Sequence, residues 1–146
     1  MTTMWTDGDY AVTTDRASVD LDVVHSFLSE ESYWAIGRTR EQIARANELS
    51  TCFSVLHEPT GAMVGFARVL TDEVAFAWVA DVFVLDEHRG RGVGVLLMRC
   101  VVEANEHVLR LVLGTRDAHG VYAKVGFVPL TRVERWMERR NQPPNP

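Results

Sequence analysis

The spacing of apolar residues changes several times along the chain, and each change marks an element. Tyr10 to Thr14 alternates weakly and reads as a first strand. Leu21, Val24, Phe27 and Leu28 fall on one helical face behind Asp20, a residue suited to cap it. Glu30-Glu31-Ser32-Tyr33-Trp34 breaks that rhythm, and Gly37 closes the break. A second helix is predicted from Thr39 to Glu48, because Thr39 with Gln42 three residues on has the form of a capping box. Thr51 to His57 and Met63 to Leu70 read as strands joined through Pro59-Thr60-Gly61. Val74 to Leu85 is almost wholly apolar, which predicts a long strand buried on both faces. Val93, Leu96, Leu97, Cys100, Val101 and Ala104 define a helix. A short strand from Arg110 to Gly114, a short helix from Ala118 to Lys124 ended at Gly126, and a strand from Phe127 to Leu130 follow. Arg132 to Arg140 fits either a helix or a final strand. Phe66, Phe76 and Trp78 are expected in the core of the sheet. Strand, helix and strand in succession imply a right-handed crossover, and the hairpins beside it make a mixed α/β fold. Residues 1–140 read as one domain and the Pro-rich residues 141–146 as a disordered tail.

One segment lies where a strand hands over to a helix: Glu87-His88-Arg89-Gly90-Arg91-Gly92-Val93-Gly94. The first turn of a helix carries N–H groups without internal partners, at the positive end of the helix dipole. Glycines let a ligand approach those groups, and two arginines add full charges. This is the chemistry of a phosphate cradle. A dinucleotide fingerprint would need glycine or alanine where Val95 stands, and a P-loop would need Gly-Lys followed by Ser or Thr.

Bulk properties narrow the choice further. The chain has 146 residues, 47% of them hydrophobic, enough for one domain with a sizeable core. A formal net charge of −5 argues against a nucleic-acid partner. Cys52 and Cys100 lack metal-ligand spacing and read as buried thiols in a reducing, cytoplasmic compartment, with no metal site. Neither a secretory signal nor a membrane span is expected.

Arg89-x-x-Gly92-x-Gly94 after a strand resembles the acyl-CoA pyrophosphate loop of the GNAT N-acetyltransferase superfamily. Asp81 to Gly90 is similar to that family's central strand and its exit. Asp117-Ala118-His119-Gly120-Val121-Tyr122-Ala123-Lys124-Val125-Gly126-Phe127 is similar to its second signature, with aspartate where the family often has asparagine. The resemblance is specific over about residues 63–130. It implies a single-domain GNAT-like fold: a mixed, mostly antiparallel sheet flanked by helices, with a splayed strand pair that binds acyl-CoA.

The resemblance also implies roles. The backbone of Gly90, Arg91, Gly92, Val93 and Gly94 would take the pyrophosphate, with Arg89 and Arg91 adding charge. Val82, Phe83 and Val84 would offer backbone groups to the pantetheine arm, and Asp117 would stand beside it. Tyr122 would serve the departing thiolate as an acid. The attacking amine must lose a proton, and an alkyl amine of pKa about 10.4 is mostly protonated at neutral pH, a deficit of roughly 4–5 kcal/mol. Asp81, a lone charge in an apolar strand, is the first candidate for that proton, and Glu30 with Glu31 the second. Tyr33 and Trp34 would wall the acceptor pocket together with Glu31. The expected activity is transfer of an acetyl group from acetyl-CoA to a small-molecule amine by direct attack. A protein lysine or N-terminal acetyltransferase, and a CoA-binding module without activity, remain alternatives. The resemblance leaves a homodimer open.

Overall fold

The computed structural model of the protein describes residues 2–143. Six strands form one sheet in the order β1-β2-β3-β4-β5-β6. They are β1 (Met4–Asp7), β2 (Tyr10–Thr13), β3 (Thr51–His57), β4 (Ala62–Thr71), β5 (Ala77–Val84) and β6 (Leu111–Val112). Every pairing is antiparallel except β5 with β6, which is parallel. The expected α/β class and mixed, mostly antiparallel sheet are therefore found.

Helices cover both faces. On one lie α1 (Leu21–Ser26), its π-helical continuation Phe27–Glu31, and α2 (Arg40–Glu48). Asp20 caps α1 by accepting from the N–H groups of Asp22 and Val23, and the Thr39–Gln42 capping box opens α2. These helices seal Val24, Phe27, Leu28 and Ile43 over Cys52, Phe66 and Phe83. The Phe27 and Phe83 rings stack at 4.2 Å, fixing the α1 layer to β5. On the opposite face α3 (Val93–Ala104) packs Val93, Leu97, Met98 and Val101 against Val12, Phe53, Val55, Val69 and Val79. The short α4 (His119–Ala123) follows β6. Arg16 donates to the carbonyls of Asn47, Glu48 and Ser50, satisfying the end of α2.

The observed elements depart from the pattern in particular places. Met4–Asp7 forms a hairpin with β2 across Gly8-Asp9, a strand the periodicity did not reveal. The long apolar run starts its strand only at Ala77, because the Asp72 carboxylate accepts from the N–H groups of Val74, Ala75 and Phe76 and holds them in a turn. Its burial alternates instead of filling both faces. Phe66 lies in the core as expected, whereas Phe76 and Trp78 are partly exposed, since α1 and α2 do not reach that end of β5. Phe127–Leu130 forms no strand, and Arg132–Arg140 resolves into one 3-10 turn, Val133–Arg135, within exposed chain. There Trp136 packs its ring near Phe76 and under the Arg110 guanidinium. The expected tail at 144–146 lies outside the described residues.

Gly65 shows how closely β4 and β5 are fitted. A Cβ there would meet Val55 Cγ2 at 2.9 Å and the Phe83 carbonyl oxygen at 3.2 Å. Gly65→Ala is expected to lower unfolding free energy by about 1–3 kcal/mol in urea denaturation, as overpacking does.

Candidate functional site

β5 and β6 are joined only at Ala77–Leu111 and Trp78–Val112. Beyond Trp78 the edge of β5 has no strand partner, so the expected splayed pair is present. The register of β5 on β4 shifts between Phe66 and Arg68, and opposite that shift Asp81 takes a left-handed backbone with φ 55°. Leu85 N–H donates to the Val64 carbonyl at 2.9 Å, and the 65–84 and 66–83 pairs hold the same register. Antiparallel pairing alternates, so Leu85 and Phe83 direct their backbone groups to β4, while Val84 and Val82 direct theirs to the open edge. Of the three residues expected to face the acyl donor, Val82 and Val84 present backbone groups at that edge. Phe83 spends its backbone on β4 and its ring on Phe27.

The Gly-rich loop stands at the exit of β5. Gly90 and Gly92 both have φ 77°, and a Cβ at either would meet nothing within 4 Å. Gly92 is the N-terminal cap of α3; its own carbonyl accepts from Leu96, and the first-turn N–H groups of Val93, Gly94 and Val95 are without helical partners. The loop is thus open and rich in donors, as a pyrophosphate requires. Arg89 is exposed, donating from Nε to the Val84 carbonyl at 3.0 Å and pairing with Asp86 at 2.7 Å. Arg91 turns toward β2 and donates to Tyr10 Oη at 3.4 Å. That hydroxyl also lies 2.7 Å from His88 Nδ1. Burial, His57 and Arg91 hold His88 below the usual histidine range, and a neutral ring with Nδ1 unprotonated accepts a hydrogen bond from the Tyr10 hydroxyl, so that Arg91, Tyr10 and His88 form a donor-to-acceptor chain.

On the other side of the splay, α4 carries Tyr122. Its ring is half-buried and meets Phe127 edge-on at 6.0 Å. Burial, with help from nearby Tyr33 and Asp117, pushes its hydroxyl up to about 12. The tyrosine remains a hydrogen-bond donor throughout the physiological range. Thr115, not Asp117, caps this turn by accepting from Ala118 N–H; Asp117 is exposed and pairs with Arg116 at 3.2 Å. Arg116 lies 4.0 Å over the Tyr33 ring, and its N–H donates to Tyr33 Oη at 2.8 Å. The segment between α1 and α2 is thereby latched to the loop before α4.

Next to Tyr33, and 5.0 Å from it, stands the Trp34 ring. Its Nε1 donates to Asp81 Oδ1 at 2.9 Å. The same carboxylate accepts from Arg38 Nη1 at 3.1 Å and from Arg68 Nε at 2.9 Å. Asp81 is 7% exposed, and three donors occupy its oxygens. Glu30 and Glu31 are exposed on the turn Phe27–Glu31, and neither side chain makes a hydrogen bond or ion pair among the described residues. Tyr33, Trp34, Asp81, Asp117 and Tyr122 are thus brought together, with Val82 one residue from the centre.

Arg38, Arg68, Tyr10 and His88 escaped sequence reasoning. Arg68 had a signal: it and Asp81 are the isolated charges of two successive apolar strands, the pattern of a cross-strand ion pair. Arg38, after Gly37, had none. Both cysteines are buried and free, and burial raises both thiols, Cys100 to about 11. No described helix is long and apolar enough to cross a membrane.

A strand that diverges from its parallel neighbour, with a Gly-rich loop leading into a helix, is the arrangement that the resemblance to GNAT acetyltransferases implies. The Acetyltransferase (GNAT) domain profile matches residues 48–129. A Gibberella zeae protein provisionally named an acetyltransferase is 30% identical, over 82% of this chain and 79% of that protein. A crystal structure of a protein from Xanthomonas campestris pv. campestris, provisionally assigned as a GNAT-family acetyltransferase, superposes with a TM-score of 0.84 at 38% identity, covering 92% of this chain and 95% of that one. A Deinococcus radiodurans structure shares the fold, with a TM-score of 0.70 at 19% identity over 95% and 94% of the two chains. The chain belongs to the GNAT acetyltransferase family.

Gly92→Val places a β-branched residue in left-handed backbone at the mouth of the loop. Acetyl-CoA at a hundredfold over its dissociation constant should stabilise the parent protein by about 2.7 kcal/mol in thermal unfolding. The variant is expected to fold, by circular dichroism, and to lose that stabilisation.

Proposed function

We propose that the protein transfers an acetyl group from acetyl-CoA to the amine of a small molecule by direct attack. The observation that carries this reading is Tyr122, a half-buried hydroxyl that keeps its proton, on the short helix that follows β6, the strand from which β5 diverges. Acetyl-CoA supplies an activated thioester carbonyl. The first-turn N–H groups of α3 and the loop Arg89–Gly94 hold its pyrophosphate, and Val82 and Val84 pair with the amide-bearing arm. An edge N–H, that of Val82 or Val84, stabilises negative charge building on the carbonyl oxygen.

Tyr122 faces the departing sulfur. A thiol has a pKa near ~8.5, well below that of this tyrosine, so full proton transfer to a thiolate would be uphill. The hydroxyl therefore acts by donating a hydrogen bond as sulfur gains charge. Asp81, expected from sequence to be the general base, is engaged by Trp34, Arg38 and Arg68, so both its oxygens are already taken by donors. Its proposed role is to hold the bulge that presents Val82. Proton removal falls to Glu30 through water, with Glu31 lining the acceptor side beside Tyr33 and Trp34. The latch between Tyr33 and Arg116 supports a bounded pocket, which favours a small amine over a folded protein as acceptor.

Tyr122→Phe is expected to lower kcat about 100-fold with little change in the KM for acetyl-CoA, measured by thiol release. Because the hydroxyl keeps its proton until about pH 12, the parent rate should rise as the amine deprotonates. No descending limb from this residue should appear below about pH 10, the range where the amine titrates. Glu30→Gln should reduce the rate most near pH 7 and progressively less as the amine titrates; an equal loss at all pH values would remove Glu30 from the proton path.

A further inference from the structure

The ion-pair cluster that holds Trp34 does not balance. Arg38 and Arg68 together bring two guanidinium charges to Asp81, which supplies one carboxylate. No other carboxylate lies within ion-pair distance of either arginine among the described residues; Glu30 and Glu31 make no pair, and Asp117 is taken by Arg116. Arg68 is the inner member, its side chain 12% exposed, its Nε on Asp81 and its Nη1 3.2 Å from Ser50 Oγ. Arg38 is the outer member, its side chain 29% exposed. It spends only Nη1 on Asp81, leaving Nε and Nη2 without a partner among the described residues. Half-buried and uncompensated charge is costly, and an anion placed against the free edge of a guanidinium offsets that cost with paired, charge-assisted hydrogen bonds. The position matters as much as the charge. Arg38 shares Asp81 with Trp34, Trp34 packs on Tyr33, and Tyr33 is latched through Arg116 to the loop that leads into α4.

From this we infer that the acceptor amine also carries an anionic group, a carboxylate or a phosphate, and that Arg38 reads it. The inference deepens the reading of the preceding subsection and rests on it. The anion docks on Arg38 Nε and Nη2 while Arg68 keeps Asp81 neutralised. The amine then lies between the aromatic wall and the open edge of β5. Trp34, held by its indole N–H, sets the spacing between the two ends of the acceptor. The chemistry selects zwitterionic amines and disfavours simple cationic ones, although the whole chain carries an excess of acidic groups.

Three probes differ mainly in the group opposite the amine: ethanolamine (neutral), β-alanine (carboxylate) and 2-aminoethyl phosphate (phosphate). An anionic neighbour raises the amine's own pKa, so protonation alone would work against the two anionic probes. With the full chain and acetyl-CoA, kcat/KM for at least one anionic probe is expected to exceed that for ethanolamine tenfold or more, and which one does so identifies the anion. Titration calorimetry of the three probes onto the CoA-saturated protein gives the same comparison without turnover. Arg38→Gln should bring the ratio close to one in both measurements, and Arg38→Lys should restore part of it. Acetyl-CoA affinity, read in parallel, reports any loss at the Asp81 anchor that Arg38 shares, and the probe ratio is compared within each protein, where such a loss cancels. Equal handling of the three probes by the parent protein overturns the inference, as does a preference that survives Arg38→Gln or an equal fall for all probes in that variant. Failure of acetyl-CoA to bind the parent protein would instead overturn the acetyltransferase reading, and the calorimetric arm repeated without CoA would still decide the anion question.

Discussion

The left-handed backbone at Asp81 is the constraint on which the functional half of the molecule depends. A non-glycine residue with positive φ in the middle of a strand is strained by about 1–3 kcal/mol, and it persists only where its surroundings over-determine it. Here the surroundings are three donors converging on one carboxylate: Trp34 and Arg38 from the segment between α1 and α2, and Arg68 from the neighbouring strand. The bulge they hold shifts the alternation of β5, so that Val82 and Val84 turn their amides outward just where β6 diverges. The same carboxylate ties the acceptor segment to the sheet. In the proposed reaction one side chain would thus set the relative position of the two substrates, the quantity a direct transfer depends on most.

The two halves of the site solve different problems. The half proposed to hold the donor is made of backbone: an unpaired strand edge, the first turn of α3, and a loop whose glycines leave the amides uncovered. Main-chain donors cannot change rotamer, and they suit a ligand whose recognised parts are constant. The acceptor half is made of side chains on an irregular segment, joined to the rest by aromatic contacts and ion pairs. Its latch, Tyr33 under Arg116, closes two loops on each other and fixes neither to a strand. The acceptor side can therefore be re-specified by substitution while the donor side stays fixed.

Much of this was legible in the chain itself because it rests on local rules. The capping box at Thr39, the Gly-rich exit from β5 and the crossover order each follow from a few neighbouring residues. What was not legible depends on contacts across the fold. The Asp72 turn removes Val74, Ala75 and Phe76 from a run whose apolarity reads as strand. Phe127–Leu130 has the composition of a strand but finds no partner, so its propensity is not realised. Asp81 stood out as a lone charge, but the number of its partners depends on Arg38, forty-three residues away. A titratable residue in an apolar run announces importance; whether it is a base or an anchor is decided by what reaches it.

The parallel junction of β5 and β6 has a further consequence for how the molecule assembles. Two residue pairs must close the whole connection from Val84 to Leu111, including α3. The loop entropy of that closure is repaid by very few hydrogen bonds, whereas the hairpins β1–β2, β3–β4 and β4–β5 close locally over longer ladders. The β3–β4–β5 meander is thus the natural nucleus, and β6 with α4 joins late and departs first. Tyr122, proposed to serve the departing sulfur, is mounted on the least cooperative part of the chain, so sub-global opening of the β6–α4 edge would disarm the proposed site without unfolding the core.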